Sequence, residues 1–214
     1  MNQSPREAIL ARVRGAIAQA PAAPSIPRAY RERDERDRVA ILSDFVDRLL
    51  DYKAQVTRAD EAGLPNAIAE ACQRHAITRL AMPNDLPSDW QPAGITIARD
   101  EPPLDNSALD ACSAVLTGCA VAVAQTGTII LDGGMRQGRR ALTLVPDIHL
   151  CVVYEEQVVG LVPEAIAALA ERSTRPITFI SGPSATSDIE LNRVEGVHGP
   201  RTLHVILVTK SAHT

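Results

Sequence analysis

Hydroxyl-bearing and proton-holding residues gather between residues 181 and 200. The run from Ser181 to Glu190 reads Ser-Gly-Pro-Ser-Ala-Thr-Ser-Asp-Ile-Glu, and the run from Gly196 to Pro200 reads Gly-Val-His-Gly-Pro. Ser181, Gly182, Ser184, Thr186 and Ser187 offer hydroxyls and close backbone approach. Thr186 or Ser187 suits a helix cap, where exposed N–H groups make a nest for a carboxylate or phosphate. Asp188, Glu190 and His198 can hold or move a proton, and Gly196 and Gly199 around His198 predict a tight turn. His198, helped by Asp188 or Glu190, is the candidate proton carrier. The bland alternative is a capped helix and a rigid turn that only connect strands. The coincidence of several candidates in one polar segment favours function.

Three smaller constellations accompany it. Gln125-Thr126-Gly127-Thr128 joins two apolar runs; Thr126, Gly127 and Thr128 can contact an anion, although a local hairpin explains the same residues. Gly138-Arg139-Arg140 precedes an expected helix start, where Arg139 suits an anionic ligand. Asp147 and His149 are separated by one residue, so on a strand they share a face, with Asp147 able to orient the imidazole. No Gly-x-Ser-x-Gly, P-loop or Gly-x-Gly-x-x-Gly motif is present, which removes the standard signatures of α/β-hydrolases, nucleoside-triphosphate sites and dinucleotide sites.

The elements that must position these residues alternate. Ser4-Pro5-Arg6-Glu7 starts a helix with a capping box, and prolines at 21, 24 and 27 make the following stretch a stiff linker, so residues 1–28 read as a detached arm. Residues 30–38 are a mixed-charge run, and Val39 to Leu50 have helical spacing. Helices are expected over 64–75, 106–117 and 162–172, and strands at 55–58, 79–82, 95–98, 119–124, 129–132, 150–154, 177–180 and 203–208. The polar segment 181–200 then hangs between two buried strands. Alternation with continuous β-branched runs predicts an α/β fold, a mostly parallel sheet between helices, over residues 29–210.

With 22 Lys+Arg against 26 Asp+Glu, the net charge of −4 gives no electrostatic reason to bind nucleic acid or an anionic membrane. The apolar runs are too short to span a bilayer, and Arg12, Arg14 and Gln19 interrupt any signal-like core in residues 1–20, so a cytoplasmic protein is expected. The four cysteines are unclustered, which reads as buried free thiols with no metal or iron–sulfur cluster on this chain.

The stretches Leu116-Thr117-Gly118-Cys119-Ala120, Gln125 to Thr128, Gly138-Arg139, Leu144 to His149, Ser181 to Glu190, Gly196 to Pro200 and Leu203-His204-Val205 resemble the LUD-domain family over roughly residues 105–208. The resemblance implies a fold like the NagB/RpiA/CoA-transferase group. It also implies a part in oxidising L-lactate to pyruvate beside two iron–sulfur partner subunits, with a small anionic ligand and a possible homo-oligomer. Many members of the family carry Glu where this chain has Gln125, and Gln cannot serve as a carboxylate nucleophile or base. A free-standing transferase or cyclo-ligase and a non-catalytic assembly module stay open as alternatives.

Overall fold

A computed structural model describes residues 4–18, 26–27, 29–172, 174–183 and 199–210. The chain divides into a short unit, Met1–Tyr30, and a main unit, Arg31–Thr214. In the short unit, helix α1 (Pro5–Ala18) begins with the expected capping box. Glu7 N donates to Ser4 Oγ (3.3 Å) and Ser4 N donates to Glu7 Oε2 (2.9 Å).

The main unit is built on a six-stranded sheet. In chain order its strands are β1 (Gln55–Asp60), β2 (Arg79–Met82), β3 (Thr96–Arg99), β4 (Ala114–Thr117), β7 (Ile148–Tyr154) and β10 (Thr202–Thr209). In space the order is β1-β10-β7-β4-β2-β3, and every pair is parallel. The centre is almost wholly apolar, as a parallel sheet buried on both faces requires.

One face packs Leu80, Leu116, Leu150, Val152 and Ile206 against helix α3 (Leu64–Arg74). The other face meets helix α2 (Arg38–Asp51) through Ile41, Leu42, Phe45 and Leu49, which follow a helical stripe. Beside α2 on that face lies a second, four-stranded sheet. It has the order β8-β5-β6-β9, from β5 (Val121–Val123), β6 (Thr128–Leu131), β8 (Val158–Val159) and β9 (Thr178–Ile180). Ala122, Ile129 and Leu131 of this sheet face the main core. Val121, Val123 and Ile130 face helix α5 (Val162–Leu169). The covering layer on this side is therefore largely a sheet, beyond the helices expected from the pattern.

Two local expectations need correction. The helix expected over 106–117 is only α4 (Asn106–Asp110), capped by Asp105 accepting from Ala108 N at 2.7 Å. Residues 114–117 are instead β4, because Ala-Val-Leu-Thr is fully buried between β7 and β2 and tertiary burial overrides the helical spacing. The strand before Ser181 is also not buried. β9 is the edge of the small sheet, and its Phe179 is 56% exposed.

A buried histidine gives the fold a pH response. His204 on β10 is fully buried, with Nε2 2.8 Å from Thr57 Oγ1 and Nδ1 3.0 Å from His75 Nε2 at the end of α3. Burial, then the neighbouring His75 and Arg74, push the His204 pKa down to about 4, and burial also lowers that of His75. The unfolded chain, with an ordinary histidine near 6.5, takes up the proton first. The stability tied to neutral His204 is thus complete above about pH 6.5 and is lost as pH falls toward 4, by roughly 3 kcal/mol. Urea midpoints measured at pH 7.5 and pH 4.5 should therefore fall with acid in the wild type, and fall less in His204→Gln.

Candidate functional site

β2 leads outward to β3, whereas its neighbour β4 leads the other way, to β7 and then β10. The winding direction reverses between β2 and β4. In an open α/β sheet the crevice at the carboxyl ends of such strands is where ligands bind. Here it holds a cleft of about 340 Å³, lined by residues that include Trp90, Gly118, Cys119, Arg136, Tyr154, Gln157 and Arg175.

The glycine-rich turn over residues 133–138 shapes it. Buried Asp132 accepts from Gly134 N (2.9 Å) and from Gln137 Nε2 (2.8 Å), and Gln137 Oε1 accepts from Asp132 N (2.7 Å). Arg175 adds an ion pair to Asp132 at 3.4 Å. These reciprocal bonds fold the turn back on itself, with Gly133 and Gly138 both at positive φ. Arg136 also sits at φ 66°, a left-handed conformation that costs a non-glycine residue about 1 kcal/mol or more. Its N–H donates to Asp85 Oδ2 (2.6 Å) and its carbonyl accepts from Gly118 N (2.7 Å), so the loop after β2 and the end of β4 pin it from both sides.

The Arg136 guanidinium lies over the Trp90 ring, 5.4 Å from its centroid. Tyr154 lines the same cleft, and burial raises its phenol pKa against the opposing effect of the Arg136 charge. Among the described residues no carboxylate forms an ion pair with this guanidinium.

Gln157 ties the ends of β4 and β7 together. Its Nε2 donates to the Cys119 carbonyl (2.7 Å), and its Oε1 accepts from Tyr154 N (2.8 Å) and from the Cys119 thiol (3.6 Å). A buried polar line runs back from there. Cys151 Sγ donates to the Gly118 carbonyl (3.8 Å), Thr117 Oγ1 is 4.0 Å from Cys151 Sγ, and Thr117 Oγ1 is 2.7 Å from His149 Nε2. The neighbouring Cys151, together with burial, pushes the Cys119 thiol well above its usual range. All four cysteines are free and buried. Among the described residues no group of three His, Cys, Asp or Glu is placed to hold a metal ion.

The residues singled out from the sequence fall elsewhere. Thr126 Oγ1 is 2.7 Å from Thr128 Oγ1, which is 2.7 Å from Ser181 Oγ. This hydroxyl chain sits at the turn of the β5–β6 hairpin, while the cleft borders its other end, roughly 10 Å away at about 3.3 Å of rise per residue. Gly127 lets that turn press on α2, since a Cβ there would stand 2.8 Å from Arg48 Cβ at φ 59°. Gly182 lies against Tyr52 at the end of the same helix.

Arg139 is not brought to these hydroxyls. It is bound by Asp100 through Nε (2.7 Å) and Nη2 (3.0 Å), beside a second cleft of about 490 Å³. Burial opposes ionisation of Asp100, yet the Arg139 bonds hold its carboxyl below the ordinary value. Asp147 lies outside β7 and faces Arg201 at 3.6 Å, and the described hydrogen bond of the His149 ring goes to Thr117 instead of Asp147. Gly199 precedes β10 at the amino edge of the main sheet, opposite the cleft. Ser184, Thr186, Ser187, Asp188, Glu190 and His198 lie outside the described residues.

The carboxyl-edge cleft was not read from the sequence. Its signal was there, an arginine bracketed by glycines in Gly-Gly-Met-Arg-Gln-Gly and the chain's single Trp, but nothing local joins Trp90 to Arg136. Because Gln137 supplies a donor to the buried Asp132 carboxylate, Gln137→Ala should destabilise the fold by about 1–3 kcal/mol, read as a lower urea midpoint at unchanged slope.

The LUD domain family matches this chain over residues 42–208, from within α2 to near the end of β10. A protein named Lactate utilization protein C from Deinococcus radiodurans is 54% identical over 173 residues, covering 80% of this chain and 81% of that protein. One of the same name from Bacillus subtilis is 24% identical over 175 residues, 72% of each chain. The crystal structure of a DUF162 family protein from Deinococcus radiodurans has a TM-score of 0.71 and 47% identity, covering 81% of this chain and 99% of that one. With both sheets and the cleft inside the matched span, the chain belongs to the LUD domain family.

Proposed function

We propose that this chain is a component of an L-lactate utilisation system that oxidises lactate to pyruvate in the cytoplasm. The observation that carries the reading is the 54% identity, over four-fifths of the chain, to a protein named Lactate utilization protein C. The matched part is the whole two-sheet body and not an isolated motif. Among the described residues no helix is long and apolar enough to cross a membrane, which suits a system working in solution.

Oxidising a 2-hydroxy acid to a 2-oxo acid removes a hydroxyl proton and the C2 hydrogen with two electrons. In this proposal the electrons pass to iron–sulfur partner subunits, and the present chain holds a small carboxylate or phosphorylated ligand. The Thr126–Thr128–Ser181 hydroxyl chain is proposed as one wall of that site, continued by Ser184, Thr186 and Ser187, with His198 and Asp188 or Glu190 handling the proton. Three hydroxyls linked in series leave a donor or acceptor at each end for a ligand oxygen, which supports the assignment.

Deleting the gene should abolish growth on L-lactate as sole carbon source while sparing growth on glucose, with rescue by the wild-type chain. Unimpaired growth on lactate would remove the role. Rescue by a His198→Ala, Asp188→Ala double variant would leave the role standing and remove the site. Turnover of lactate by the purified chain alone, with an artificial electron acceptor, would favour the free-standing enzyme.

A further inference from the structure

The cleft at the carboxyl ends of β2 and β4 lies apart from the Thr126–Ser181 hydroxyls, and the role proposed above makes no use of it. We propose that this cleft binds an organic monocarboxylate, and that the Arg136 guanidinium is the group that holds the carboxylate.

Three independent features point there. The first is the backbone. Arg136 keeps a left-handed conformation that glycine would adopt freely, and bonds from Asp85 and Gly118 hold it in place. The turn itself would be better served by glycine, so a strained arginine between Gly134 and Gly138 points to a use for its side chain.

The second is charge. Arg139 and Arg175 are each paired with an aspartate, Asp100 and Asp132. Arg136 has an aromatic ring beneath it and a phenol beside it, and among the described residues no carboxylate balances it. A half-buried guanidinium resting on Trp90 presents a planar fork of donors that matches a carboxylate in two parallel hydrogen bonds.

The third is the shape and lining of the cleft. Its volume of about 340 Å³ far exceeds a carboxylate group, and Trp90, Met135, Ala120 and Val152 give it an apolar side for an organic body. Among the described residues Arg136 is the arginine of this cleft without a carboxylate partner, which suits a ligand with one negative charge. A phosphate dianion would call for a second cation, and the cleft's other arginine, Arg175, is paired with Asp132.

The test uses the chain's own reporter. Trp90 is the only tryptophan and lies under the guanidinium, so its fluorescence reads occupancy directly. The purified full chain is titrated with a straight-chain series from acetate to hexanoate, with L-lactate and pyruvate, and with inorganic phosphate, and calorimetry supplies the affinities. The expected result is saturable binding of carboxylates that tightens with chain length, with phosphate weaker than hexanoate.

Arg136→Gln should weaken hexanoate by about tenfold or more at an unchanged thermal midpoint, as expected for losing charge-assisted hydrogen bonds. Arg136→Lys keeps the charge and the aliphatic stem but loses the fork, and should bind several-fold more weakly than wild type. Should the Gln variant fail to fold, the Lys variant decides the matter. No saturable carboxylate binding, phosphate binding as tight as hexanoate, or unchanged affinity in the folded Arg136 variants would each overturn the site. Growth on lactate is a separate measurement, so the role proposed above and this site can fail independently.

Discussion

The pairing of β7 with β10 at the centre of the main sheet is the constraint on which everything else rests. Both strands are buried on both faces, so each row of side chains needs its own cover. On one side α3 supplies it. On the other, α2 alone is too narrow for a six-stranded sheet, and the hairpin of β5 and β6 completes the layer with Ala122, Ile129 and Leu131. That second sheet has an outer face of its own, which α5 closes through Ala165 and Leu169. Hydrophobic burial at about 25 cal/mol per Å² makes this nested covering favourable, and it leaves the strand ends as the places where polar groups can gather.

The two ends of the hairpin are therefore different environments. Its turn presses on α2 through Gly127 and presents the linked hydroxyls of Thr126, Thr128 and Ser181. Its open end runs into Asp132 and the glycine-rich turn, which folds over the carboxyl edge of β2 and β4. One rigid element thus carries both candidate sites. The buried Asp132 carboxylate is the pivot of the second, since its bonds to Gly134, Gln137 and Arg175 hold the turn in the shape that places Arg136 over Trp90.

Much of the fold was legible because local pattern and tertiary fate agree. α2 and α3 follow their apolar stripes, and the closing strand follows its continuous apolar run. Residues 114–117 carry a misleading local signal, because Ala-Val-Leu-Thr satisfies a helical stripe and only the neighbouring β2 and β7 make it a strand. Arg139 and the Asp147–His149 pair looked free in sequence because their partners, Asp100, Arg201 and Thr117, are distant along the chain.

By itself, the sequence determined the alternation of helix and strand, the mildly acidic surface, and a set of loop motifs specific enough to mark the LUD family. Those properties reside in composition, short-range spacing and residue identity. The tertiary structure decided which polar residues meet. Strand order puts the ends of β2 and β4 side by side although more than thirty residues separate them in the chain. That adjacency brings Asp85, Gly118 and Arg136 into one hydrogen-bonded unit over Trp90. A charge is satisfied or left available by what lies a few ångströms away, and in a parallel sheet those neighbours come from crossovers that no local window contains.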